Sequence, residues 1–392
     1  MSRSRSKSSP RPVYLVAVLA LAATVAACGG DDDTGTSAAP GTSAAADAAS
    51  DPVPGVVAGA AFPEERCAAN RAAGTVTYHS GFDYAATASI IEVLVAQAAG
   101  YYDALCLDVE IVPAFSTENY PLVAANDVQF ASAGSFSEVA AYSAANDAEL
   151  VAVTVDGHTS IETLLLKPGT ATELADLAGT TLGIKGAMPA AVSAMLGGAG
   201  LIEGTDFRTV LLDGFDPVAH MAVPDIVGLP GWKSNEPGAL ARAGVAFDEF
   251  DPADYGVPGS FGLIYTSQAF LDAHPTAAED FVRATLRGLA DAIADPAAAT
   301  ATAFALIETG GNPNFLSLDG ETFRWTTDAE LITSTTPAGS HPGVPIAAEF
   351  AEQLDAYDAA GMYPGGKPAL DGRFSTLAAD LYGADGTVIW PG

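Results

Sequence analysis

Positive charge is what this chain has least of. Sixteen Lys and Arg stand against 48 Asp and Glu in 392 residues, and Arg3, Arg5, Lys7 and Arg11 lie in the first eleven positions. Beyond that head twelve basic residues face all 48 acids, a net charge of −36. Such a surface repels phosphate backbones and anionic lipid, which excludes nucleic acid as a partner, and most of the acids read as a solvated exterior. Cysteine is scarce too, with three in all; CxxC and HExxH do not occur and the five histidines are scattered, so no metal ligand set is expected. GxSxG, a P-loop and a paired His/Cys nucleophile are also missing, which leaves catalysis without support. The apolar run over residues 13–27 would span only about 22 Å as a helix, short of a ~30 Å hydrocarbon core, so a permanent membrane span is the weaker reading there.

That run has another meaning. A basic head, MSRSRSKSSPRP, precedes it, and small residues follow, the layout of a secretory signal over residues 1–27. The end of the run, Val25-Ala26-Ala27-Cys28, resembles the bacterial lipobox, in which the cysteine is acylated and becomes the new N-terminus. Acyl chains on Cys28 would hold the protein at a membrane face without spanning it. Residues 28–60, rich in Gly, Asp, Ser, Ala and Pro, read as a flexible tether. Cys67 and Cys106 remain, and an even pair in an exported chain reads as a disulfide.

From residue 61 onward strand and helix signals alternate. GTVTYHS (74–80), CLDVEIVPAF (106–115), VQFASAG (128–134), LVAVTVDG (150–157) and ETLLLKPG (162–169) read as strands. Apolar helices fall at 87–100 and after Ser135, which forms a capping box with Glu138. A second series starts with a helix capped by Thr170 and Glu173; strands follow at 181–186, 208–214 and 225–231. Regular alternation implies mostly parallel sheets flanked by helices, an α/β fold with ligands beyond the carboxyl ends of the strands. The loops at that edge are SGFDY, AFSTEN, SAGSFS, VDGHTS, GIKGAMP and PGWKSNEPG.

The run from GTVTYHSGFDY through AAGYYDALCLDVEIVP and VQFASAGSFSEV to GWKSNEPGALARAGV, ADYGVPGSFGLIYTS and HPTAAEDFVRATLRGLADAIADP resembles the NMT1/THI5-like family of ABC transporter substrate-binding proteins. The resemblance covers most of residues 74–300. It implies a two-lobed clamshell of the type II periplasmic-binding-protein kind, with lobe 1 over 61–165, lobe 2 over 166–260 and a return to lobe 1 over 261–392. The chain would cross near 163–168 and return near 258–264. Members deliver nitrate, sulfonates or pyrimidine precursors of thiamine to an ABC permease and its ATPase. The NEP motif resembles the pyrimidine branch more than the oxyanion branch. A pyrimidine synthase shares the family name, but its pyridoxal phosphate lysine and cysteine-rich motif have no match here, so no cofactor and no catalytic residue is expected.

The residues bear on ligand charge independently. Between Arg71 and Lys167 there is no cation at all, so every site loop of lobe 1 lacks one, and a neutral or amino-bearing ligand fits better than an oxyanion. Phe82, Tyr84 and Trp232 offer flat apolar surfaces, with Asp83, Asn235 and Glu236 as acceptors for ring N–H groups. Ser116, Thr117, Ser132, Ser135, Thr159 and Ser160 are candidate donors, and Gly134, Gly186 and His158 lie in the same loops. Each also has a plainer role open to it: Ser135 as a helix cap, His158 as a buried structural group, and Glu236 as a charge at a helix start. Lys185 would meet a carbonyl or an anion, or face water.

Overall fold

The computed structural model describes residues 53–312 and 316–392. The signal segment and Cys28 lie outside them, as does the tether up to residue 52. Ten strands are present in the described residues: β1 Thr75–His79, β2 Asp108–Val112, β3 Phe130–Ala133, β4 Leu150–Gly157, β5 Glu162–Leu166, β6 Thr181–Ile184, β7 Arg208–Leu211, β8 Gly228–Trp232, β9 Asp248–Phe250 and β10 Phe261–Ser267. They form two five-stranded sheets, β2-β1-β3-β10-β4 and β7-β6-β8-β5-β9. In each sheet one strand, β10 or β5, runs against its two neighbours, so four of five share a direction.

β4 and β10 are buried at every position and the short β3 at all four. That is the continuous apolar pattern expected of strands covered on both faces. The lobe 1 core is aromatic: Phe130 stacks on Phe281 at 4.0 Å and Tyr102 on Phe281 at 5.2 Å. A ring fully removed from water contributes roughly 1.5–3 kcal/mol. Phe281 belongs to the helix Pro275–Ala294, which is buried at every position from Asp280 to Leu286 and packs on the helix Ile91–Ala98. Gly288 permits that approach, since a Cβ there would stand 2.2 Å from the Glu92 carbonyl. The helix Glu64–Ala72 is joined to it by Asp280, which is fully buried and accepts from Arg66 Nε (2.6 Å), Asn70 Nδ2 (2.7 Å) and Arg283 Nε (3.1 Å). Cys67 and Cys106 form a disulfide with Cα atoms 5.2 Å apart.

The chain crosses between lobes at residues 158–161, ahead of the 163–168 that the family resemblance implies, because ETLLL is already a ladder strand of the second sheet. It returns over residues 251–260. The two crossings touch where Gly259 lies against Ser160; a Cβ at Gly259 would meet the Ser160 nitrogen at 2.4 Å. Helices after β10 complete lobe 1, and they also reach lobe 2. Helix Leu318–Thr335 packs on helix Glu236–Arg242, and helix Ala347–Ala359 packs on helix Ala190–Gly198 around Tyr357.

Three local readings are corrected. Ser135 starts the helix Phe136–Asn146, but its hydroxyl bonds Ser137 Oγ (2.9 Å) instead of capping, while Glu138 does take the Gly134 N–H (3.2 Å). The capping box expected at Thr170 and Glu173 is formed by Glu173 and Asp176 at a short 3-10 turn, Leu174–Leu177, and Thr170 bonds the Lys167 carbonyl. The end of the expected tether is held in place: Gly59 N–H donates to the Trp390 carbonyl and Gly392 N–H to the Ala60 carbonyl.

Candidate functional site

A cleft of about 480 Å³ opens between the lobes at the carboxyl ends of their strands. Lobe 1 contributes Gly81 and Phe82 after β1, Thr87, and Phe115, Ser116 and Thr117 after β2. Lobe 2 contributes Lys185, Ala187 and Pro189 after β6, Phe215 after β7, and Pro230, Gly231, Trp232, Asn235 and Glu236 from β8 onward. Arg324 reaches in from the helix Leu318–Thr335.

The lobe 1 wall depends on a close approach. The AFSTEN stretch is not a loop: the helix Ser116–Ala124 starts there and continues past Pro121, a residue that argues against helix in the sequence. Ser116 N–H and Oγ both donate to the Gly81 carbonyl, and a Cβ at Gly81 would stand 2.8 Å from Ser116 Oγ and 2.9 Å from Ser132 Oγ. This zips the β1 and β2 loops together and sets Phe82 edge-on to Phe115, with centroids 5.8 Å apart. Across the cleft Phe215 lies 6.4 Å from Phe82. Phe115, Phe215 and Trp232 are exposed by 48%, 50% and 39%.

GWKSNEPG forms the other wall. Trp232 ends β8, and the helix Glu236–Arg242 starts four residues on with Pro237 in its first turn. Glu236 is 2% exposed and spans that turn: Oε2 accepts the Trp232 N–H (2.7 Å) and Oε1 pairs with Lys185 Nζ (2.7 Å). Gly231 makes room for it, since a Cβ there would lie 2.9 Å from the Glu236 Cβ. Asn235 Oδ1 accepts from Arg324 Nη2 (2.8 Å), while Arg324 Nη1 pairs with Glu321 (2.5 Å) and the guanidinium sits 5.9 Å from the Phe82 ring centre. Lys185 Nζ lies 5.7 Å from the Phe215 ring centre. Two cations and two carboxylates thus balance at the cleft.

Of the sequence candidates, Phe82, Ser116, Thr117, Trp232, Asn235 and Glu236 are brought to this cleft. Ser132 and Gly134 line a narrower recess beneath it, between Phe82 and Trp232. The others are placed elsewhere. Asp83 has φ +51°, accepts its neighbour Tyr84's N–H (2.8 Å) and the Asn312 N–H (2.7 Å), and so turns toward residue 312 with Tyr84 beside Gly310. His158 is buried at the crossing, bonded to Glu349, and Thr159 follows it outside the cleft lining. Ser135 is spent on Ser137. Ser160 Oγ bonds the Glu162 N–H within the crossing (3.0 Å). Gly186, at φ +85°, shapes the turn between two lining residues. Sequence reasoning missed Phe115, Phe215 and Arg324; the exposed Phe beside each strand end was a usable signal, and Arg324, some 90 residues beyond GWKSNEPG, gave none. Among the described residues no group of three His, Cys, Asp or Glu is arranged to hold a metal ion.

Two α/β lobes joined by paired crossings around a lined cleft define the class: a protein with the periplasmic-binding-protein fold. The chain belongs to the NMT1/THI5-like family, whose model matches residues 87–299. Its fold is similar to that of the periplasmic sulfonate-binding protein SsuA from Methylobacillus flagellatus KT, at 16% identity over 78% of this chain and 92% of that one, with a TM-score of 0.56. It is also similar to the periplasmic nitrate-binding protein NrtA from Synechocystis PCC 6803, at 12% identity over 77% and 86% of the two chains and a TM-score of 0.50. In sequence it is 34% identical over 123 residues to the riboflavin-binding protein RibY of Chloroflexus aurantiacus, 31% of this chain and 34% of that protein. The matched segment therefore spans about a third of that relative.

Proposed function

We propose that this chain is the extracytoplasmic substrate-binding component of an ABC importer, anchored through Cys28, and that it captures a small planar heterocycle between its lobes for delivery to a permease and ATPase. The observation that carries the reading is the ring set: Phe82 and Phe115 from one lobe and Phe215 and Trp232 from the other face one cleft, three of them exposed. Large apolar rings gathered at a concave surface mark a binding site, and flat rings suit a flat ligand. RibY's name points the same way, and a pyrimidine precursor of thiamine belongs to the same chemical range. A ligand touched by both lobes stabilises the arrangement in which both reach it, which is hinge closure. Lys185, the lysine at the cleft, is tied to Glu236, which suits holding a ligand rather than forming a bond to it. The Cys67–Cys106 disulfide suits an oxidising, extracytoplasmic compartment.

A second reading is an oxyanion ligand, as in the names of the sulfonate- and nitrate-binding neighbours. The presence of Lys185 and Arg324 at the cleft favours it. A thermal-shift panel on ligand-stripped protein separates the two. Stabilisation by riboflavin or an aminopyrimidine but not by nitrate, taurine or alkanesulfonates supports the heterocycle, and the reverse pattern removes it. Anchoring is checked by fractionation: Cys28→Ala should leave the membrane pellet, and an unchanged pellet would refute acylation there.

A further inference from the structure

The geometry points to a narrower ligand class: a ring whose polar edge is built of hydrogen-bond acceptors, a dione of the pyrimidinedione or flavin type, and not an amino-edged ring. This rests on the reading of the cleft as a heterocycle site.

Each acceptor that sequence offered to an amino group already takes a hydrogen bond from the protein. Glu236 is buried, with one oxygen on Lys185 and the other on the Trp232 N–H. Glu321 is 1% exposed, with one oxygen on Arg324 and the other on the Ala86 N–H (2.6 Å). Asn235 Oδ1 is held by Arg324, and both Asp83 oxygens are held by backbone N–H groups, in a recess that shares Phe82, Phe115 and Phe215 with the cleft. The acceptor-only groups of the site therefore face protein.

Donors are left over. A guanidinium has five N–H groups, of which Arg324 uses two in the bonds to Glu321 and Asn235. An ammonium has three, of which Lys185 uses one on Glu236. The Asn235 amide nitrogen and the Thr117 hydroxyl, both at the cleft, have no hydrogen-bond partner among the described residues. Two ring carbonyls would satisfy these donors, with a ring N–H between them accepted by the Thr117 oxygen. A ring amino group would meet N–H groups head on, and a protonated one would meet two cations. An anion gains little, because Glu236 and Glu321 already neutralise both cations.

The test uses two ligands of one skeleton, lumazine (pteridine-2,4-dione) and 2,4-diaminopteridine, with riboflavin and taurine alongside, titrated against the full mature chain by Trp fluorescence and thermal shift. Lumazine and riboflavin should bind, the diamine about 100-fold more weakly or worse, as expected when site donors lose their acceptors. Arg324→Gln should cut the lumazine-to-diamine ratio at least tenfold. If the diamine binds as tightly as lumazine, the edge assignment is overturned and the heterocycle reading stands. Binding of taurine alone, or of none of the four, overturns both. If Arg324→Gln fails to fold, the wild-type comparison still decides.

Discussion

At the scale of single residues, Glu236 and Trp232 stand four positions apart and do different work. The indole is more than a third exposed and its ring faces the cleft; the carboxylate is buried and binds the turn that presents the indole. Trp232→Ala should lower ring affinity by about 10- to 100-fold and leave the denaturant midpoint nearly unmoved, as befits an exposed aromatic contact. Glu236→Ala leaves Lys185 and the Trp232 N–H without their partner, so it should cost about 1–3 kcal/mol of stability. Equilibrium unfolding beside ligand titration separates the two; an unaltered midpoint in Glu236→Ala would mean the turn does not need its carboxylate. The sequence could place Glu236 at a helix start, because Pro237 follows it. It could not show Lys185, 51 positions away, taking up its charge.

At the scale of elements, the crossing from β4 to β5 carries carboxyls that resist ionising. Glu162 opens β5, accepts the Ala191 N–H (2.9 Å) at the start of the helix Ala190–Gly198, and is pushed up to about 7 by burial. Asp156, near the end of β4, is raised by burial as well. An unfolded glutamate ionises near 4.3, so between about pH 4 and pH 7 the folded state holds a proton that the unfolded chain releases. Glu162's contribution is therefore full below about pH 4 and is lost as pH rises through 7, up to about 4 kcal/mol for this one group. Glu162→Gln keeps the carbonyl that accepts the Ala191 N–H and removes the titration. Its Tm should fall less between pH 5 and pH 8 than the wild-type Tm; parallel curves would show that Glu162 ionises normally. β-branched runs and helix stops made β1, β4, β5 and β6 legible from sequence. The helix Ser116–Ala124 was hidden because Pro121 and four polar residues outweigh its apolar positions.

At the scale of the whole molecule, the alternation of strand and helix was enough to indicate two α/β lobes, since it reflects local periodicity. What lay beyond reach was the part played by the last hundred residues. Their helices look like ordinary amphipathic segments, and only the folded chain shows that they touch both lobes and bring Arg324 to the cleft. The lack of cations between Arg71 and Lys167 holds for the site loops after β1 to β4, yet the cleft does carry cations, because they come from lobe 2 and from this C-terminal helix. The packing of the helix Ala347–Ala359 on Ala190–Gly198 has a further consequence. Any rotation of one lobe against the other must slide that interface, so its free energy enters the affinity for every ligand by the same factor. The interface around Tyr357 is thus a volume control and the cleft lining a tuner: substitutions around Tyr357 can make all ligands bind tighter or looser together, while the choice among them stays where the rings and donors are.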